Sequence, residues 1–121
     1  MAKRRSQSGH DQIVKAVADH LTKKGYRNVM ADVRPYDTPT KIVWKQSNQG
    51  HIPDVTADGM VVEVETADSI DDDHTADQWR LFATYAEQHS QVFVVVVPEG
   101  SSAAAKRRLR ELGVTAGVWT A

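Results

Sequence analysis

The chain contains no cysteine. That excludes a disulfide framework, a thiolate nucleophile and any cysteine-ligated zinc, and it fits a cytoplasmic protein. No apolar run approaches the ~20 residues of a membrane-spanning helix, so no membrane partner is expected. The start, Met-Ala-Lys-Arg-Arg, is charged but has no apolar segment behind it, which is not the pattern of a signal peptide. Neither sign of charge dominates: 15 basic and 16 acidic residues leave a net charge of −1. A chain basic throughout, of the kind that coats nucleic acid, is thereby excluded. The five histidines lack the His-Glu-x-x-His spacing of a zinc protease. No serine and histidine arrangement suggests a nucleophilic triad, and Gly100-Ser101-Ser102 is too sparse for a phosphate-cradling loop.

What is present is unevenly placed. Basic groups gather at Lys3-Arg4-Arg5, Lys23-Lys24, Arg27 and Lys106-Arg107-Arg108-Arg110, and acids gather between Asp54 and Asp77. Two readings stay open. A basic rim around an acidic centre suits a metal-dependent enzyme acting on a polyanion; solvated helix faces produce the same pattern. With 121 residues the chain is long enough for one core. We expect a basic flexible arm over residues 1–9 and a single domain over 10–121.

Residues 10–24 read as an amphipathic helix, with Ile13, Val17 and Leu21 at four-residue spacing, Ser8 or Gly9 as cap and Gly25 as stop. Asp11 then falls in the first turn, where the helix dipole favours it. Residues 28–34 and 41–45 read as strands, separated by a loop with two prolines. A helix is expected over about 72–89, opened by Asp71-Asp72-Asp73, with Trp79 and Phe82 in the core. Residues 91–97 form a β-branched run without polar alternation, which predicts a strand buried on both faces in mid-sheet. A helix over 103–112, stopped by Gly113, and a last strand over 114–120 complete the chain. The fold class is α/β, with a mixed central sheet flanked by helices.

The most informative stretch is residues 51–67. Asp58-Gly59 between alternating apolar residues is a strong hairpin signal, because a type I′ turn needs positive φ at both central positions. Taken literally, it sets Ala57 opposite Met60, Val55 opposite Val62 and Asp54 opposite Glu63. Alternation then puts Asp54, Thr56, Val61, Glu63 and Glu65 on one face. Directly opposed like charges repel. Such a pair is solvated, shares a proton, or holds a cation; Mg²⁺ takes one or two carboxylates and leaves other positions to water and phosphate.

Pro53-Asp54 followed by Glu63-x-Glu65, within an αβββαβ order, resembles the PD-(D/E)xK superfamily, the restriction endonuclease-like nucleases. The resemblance spans residues 10–97. It implies a restriction endonuclease-like core and hydrolysis of phosphodiester bonds in DNA, with RNA as second choice, using Mg²⁺ or Mn²⁺. By position, Asp54 and Glu63 would be metal ligands and Asp11 would reach the metal from the first helix. Glu65 stands where the family usually has lysine, which implies a catalytic glutamate in its place. Gln78 and Arg80 on the second helix, with His51 before the hairpin, would support the site. Lys41, Lys45 and Arg107 would contact nucleic acid, and a two-fold homodimer would set two sites against two strands. The missing lysine keeps an alternative open: a catalytically inactive relative that binds nucleic acid or protein.

Overall fold

The computed structural model describes residues 7–121. Helix α1 (Gln7–Lys23) leads into β1 (Met30–Ala31), β2 (Ile42–Val43), β3 (Gly50–His51), β4 (Val55–Ala57) and β5 (Met60–Val64). Helix α2 (Asp73–Gln88), β6 (Val92–Val97), α3 (Ser102–Leu112) and β7 (Gly117–Thr120) follow. Five strands form the main sheet in the order β1-β4-β5-β6-β7. The β1–β4 and β4–β5 pairs are antiparallel, whereas β5–β6 and β6–β7 are parallel. The sheet is therefore mixed, and the chain is α/β as expected.

The hairpin register is the one that the Asp58-Gly59 turn dictates, with Ala57 paired to Met60 and Val55 to Val62. Gly59 has φ of 80°. Alternation along β5 then feeds two cores. Met60, Val62 and Val64 meet Val14, Val17, Ala18 and Leu21 of α1 on one face of the sheet. Val61 shares the other face with Trp79, Phe82 and Leu81 of α2 and with Ala105 and Leu109 of α3. Strand β6 runs between β5 and β7, and Phe93 to Val97 are all buried, as a valine run without polar alternation requires. Its first residue, Val92, is exposed.

Two parts of the sequence reading change. Helix α1 begins at Gln7, not at residue 10. Ser8 and Gly9 are therefore helical residues rather than caps, Asp11 lies beyond the first turn, and residues 7–9 are part of α1. The remainder of the expected arm, residues 1–6, lies outside the described residues. The stop is as expected: Gly25 has φ of 93°, and the Gly25 and Tyr26 N–H groups donate to the Thr22 and Leu21 carbonyls, which is a Schellman closure.

The second change concerns residues 41–45. Only Ile42–Val43 is extended, and it pairs with β3 in a separate two-stranded ribbon rather than with the main sheet. The ribbon packs on α2. Residues 28–34 likewise contribute only Met30–Ala31. With the ribbon set aside, the order is αβββαβ followed by α3 and β7.

Candidate functional site

Four ionisable residues are buried near the end of β5 where its carboxyl terminus meets the start of β4. Relative exposures are 4% for His10, 8% for Asp54, 1% for Glu63 and 0% for Glu65. Burying carboxyl groups is costly without hydrogen-bonding partners, and the local structure shows how these are accommodated.

Asp54 follows Pro53 at a bend, one residue before the β4 ladder begins. Its Oδ2 accepts from the Val64 N–H at 2.8 Å and lies 3.2 Å from His10 Nε2. In the register of the hairpin, the Val64 N–H is the next donor facing β4 after the last ladder pair. The Asp54 carboxylate thus extends the ladder where the main chain has turned away. Its own N–H donates to Glu63 Oε1 at 2.9 Å, and its carbonyl accepts from the Asp32 N–H at 2.9 Å. Asp54 and Glu63 are brought together, but not as two opposed side chains on one face. The bend carries the Asp54 carboxylate to His10 of α1, the helix that covers the opposite face from α2.

His10 is a site residue that sequence reasoning missed. Its ring Nδ1 lies 3.2 Å from Asp11 Oδ1, so the imidazole is flanked by a buried and a half-exposed carboxylate. A ring nitrogen that carries a proton donates to the carboxylate facing it. The signal was available: His10 stands four residues before Val14 and so continues the stripe Val14, Val17, Ala18, Leu21 by one turn. Asp11, implied as a ligand, sits on the far side of that ring from Asp54.

Glu65 belongs to the other face. Its Oε1 accepts from Ser69 Oγ at 2.7 Å and its Oε2 from Trp79 Nε1 at 3.2 Å. The Ser69 hydroxyl also accepts from the Thr66 N–H at 3.1 Å. Glu65 therefore fastens the turn after β5 to the core tryptophan of α2.

The remaining candidates are scattered. Gln78 is buried on α2, with no hydrogen bond to Asp54, Glu63 or Glu65. Arg80 is exposed on the same helix, 3.8 Å from Asp77, and lines a groove toward Gly113 and Gly117 rather than the carboxylates. Arg107 on α3 is occupied by Asp71 at 3.0 Å and Glu111 at 3.0 Å. Lys41 and Lys45 are exposed on either side of β2.

His51, on β3, packs against α2: its ring centroid is 5.0 Å from that of His74, edge-on, and 6.3 Å from that of Phe82. Burial, then the neighbouring His74 and Lys41, hold its imidazole below the ordinary histidine value of 6.5, against an opposing pull from Asp77. A histidine depressed in the folded state is protonated more readily in the unfolded chain. Its contribution to stability is complete above the ordinary value and is lost as the pH falls below it toward the depressed one. Equilibrium urea unfolding at pH about 7.5 and about 5.5 should show the midpoint falling in acid, and His51→Gln should flatten part of that slope.

A metal ion is what the carboxylates would serve in the resemblance. Among the described residues, no group of three or more His, Asp or Glu side chains is placed to hold one. Mg²⁺ accepts one or two carboxylates when water and substrate phosphate complete its shell, and Asp54 with Glu63 is a donor set of that size. Glu65 does not extend the set, since both its oxygens serve Ser69 and Trp79. The donor types suit a hard cation, but Asp54 Oδ2 accepts from the Val64 N–H and lies against His10, and Glu63 Oε1 accepts from the Asp54 N–H.

Among the described residues, no helix is long and apolar enough to cross a membrane. No family model matches the chain, no curated protein matches it, and no solved structure matches it.

Proposed function

We propose that the chain carries a restriction endonuclease-like core and hydrolyses phosphodiester bonds in DNA, with a Mg²⁺ or Mn²⁺ ion held by Asp54 and Glu63. The observation that carries this reading is the hydrogen bond from the Asp54 main chain to Glu63 at the carboxyl end of β5. Open α/β sheets bind their ligands outside the carboxyl ends of the strands. An ion there would polarise the phosphoryl group and lower the pKa of a bound water. The protein's own contribution is orientation. The Val64 N–H and His10 fix the Asp54 carboxylate, and the Asp54 N–H fixes Glu63. Glu65 is a positioning residue in this reading, holding the turn that follows β5.

A second reading, an inactive relative that binds nucleic acid or protein, is favoured by one observation. The position where the family has lysine is filled by a buried glutamate engaged by Ser69 and Trp79. One assay separates the two. Wild type and Asp54→Asn are incubated with Mg²⁺ or Mn²⁺ and plasmid, single-stranded or branched DNA. Cleavage that requires metal and falls about a hundredfold or more in Asp54→Asn, the scale of losing one transition-state contact, supports the hydrolase. Absence of cleavage by wild type on every substrate leaves the binding module. If duplex DNA is cut on both strands, a two-fold dimer is the arrangement that places two such sites.

A further inference from the structure

A groove of about 720 Å³ lies between the β2–β3 ribbon and α2, floored by the hairpin residues Met60 and Val61. That is within the range of ligand pockets, yet none of Asp54, Glu63 and Glu65 lines it. Its walls carry aromatic surface. Trp44 comes from the ribbon, and Tyr85 comes from α2 with His89 stacked on it, the ring centroids 4.0 Å apart and the planes 23° from parallel. His89 Nδ1 is 2.8 Å from the Tyr85 carbonyl, which fixes that pair of rings. Lys41 and Lys45 line the same groove, and among the described residues neither makes an ion pair or a side-chain hydrogen bond. The acid at the rim, Asp58, is held by Asn28 at 2.9 and 3.1 Å.

Aromatic faces beside two uncommitted ammonium groups are the complement of a base joined to a phosphate. Bases stack on such rings, and the backbone follows the positive charge. A ring can receive a base only when that base is unstacked from its own strand, which selects single-stranded over duplex nucleic acid. The groove borders the same hairpin as the carboxylates: Thr56 and Val61, which are Cα partners, line it, and Asp54 and Glu63 are two residues further along the same two segments.

We propose that this groove is a subsite for single-stranded nucleic acid, with a base on the Tyr85–His89 stack and phosphates at Lys41 and Lys45. The proposal rests on the nuclease reading for its biological sense, but its test does not depend on cleavage. Fluorescence anisotropy of a labelled oligothymidylate is measured with the full chain in EDTA, at several salt concentrations. Tyr85→Ala should weaken binding about tenfold, the scale of losing one stacked base, and Tyr85→Phe should bind like wild type. Removing both lysines should lessen the slope of log affinity against log salt by about 1.4, roughly 0.7 for each phosphate contact. Binding is read in EDTA without turnover, so a failed cleavage assay leaves this result standing. Thermal unfolding confirms that each variant is folded; a Tyr85→Ala that fails to fold is replaced by Tyr85→Leu, for which the same loss is expected. No binding by wild type, unchanged affinity in both the tyrosine and the lysine variants, or equal competition by duplex of the same length overturns the proposal.

Discussion

Glu65→Lys is expected to destabilise the protein by about 3–5 kcal/mol, the scale of an uncompensated buried charge, and to confer no gain in activity. The substitution restores the residue usual in the resembled family, so a motif-based expectation points the other way. The geometry decides. Glu65 is fully buried, and both its oxygens accept, from a serine hydroxyl and from an indole N–H. An ammonium group has three donors and no acceptor, and an indole N–H has no acceptor either. The variant would place a charge in the core and leave the Trp79 N–H without its acceptor. Against a typical total of about 5–15 kcal/mol, the urea midpoint should collapse. Glu65→Gln is the control: its amide oxygen can take the Trp79 N–H while its NH₂ donates to Ser69, so most of the stability should remain. A Glu65→Lys protein as stable as wild type would mean that the Ser69 and Trp79 contacts do not hold this side chain.

Trp79→Ala is expected to cost about 3–5 kcal/mol from the cavity alone, and more once the bond to Glu65 is counted. Trp79 is fully buried at the centre of the α2-side core, so there is little room for neighbours to collapse. Trp79→Phe keeps one aromatic ring but loses the N–H together with part of the indole's volume, so it should cost at least the about 1–3 kcal/mol of an unsatisfied partner and less than the alanine variant. Combined with Glu65→Ala, which removes the acceptor, it forms a double-mutant cycle, since the two residues share one contact. Guanidinium unfolding curves of the four proteins measure the coupling; a coupling near zero would mean that the indole contributes by volume alone.

Much of the fold was legible where the governing interaction is local. The Asp58-Gly59 turn was legible as a two-residue loop, and that loop length with alternation leaves one register. The valine run of β6 announced a mid-sheet strand because only burial on both faces tolerates it. The extents of α2 and α3 came within two residues, since their apolar spacing and the glycine after Leu112 mark the ends. Most of what failed depends on partners distant in sequence. The alternation of residues 41–45 is a strand signal, but it does not say which sheet the strand joins. The start of α1 was misplaced because Ser8 and Gly9 read as a cap, whereas the helix runs through them from Gln7. At the site, Asp54 and Glu63 were expected opposite each other on one face, but the ladder ends at Val55 and Val62, and the bend that turns Asp54 toward α1 leaves no local mark. Nor did Glu65 disclose that its partners would be a serine in the following turn and a tryptophan on α2.

The span of the bond between His10 and Asp54 has a consequence for how the molecule assembles. The two residues are 44 positions apart, whereas the β4–β5 hairpin closes around two turn residues. Loops with neighbouring ends close first, and contacts between distant positions wait until intervening chain has been ordered. The hairpin can thus form within microseconds and set Glu63 in place, but Asp54 is not aligned until α1 docks on the finished sheet. During synthesis α1 leaves the ribosome first and waits for its binding face, which β6 completes only when residues 92–97 have emerged. Assembly of the carboxylate cluster is therefore a late event that reports completion of the core, and a chain stopped short of β6 would hold the motif in its sequence without the site.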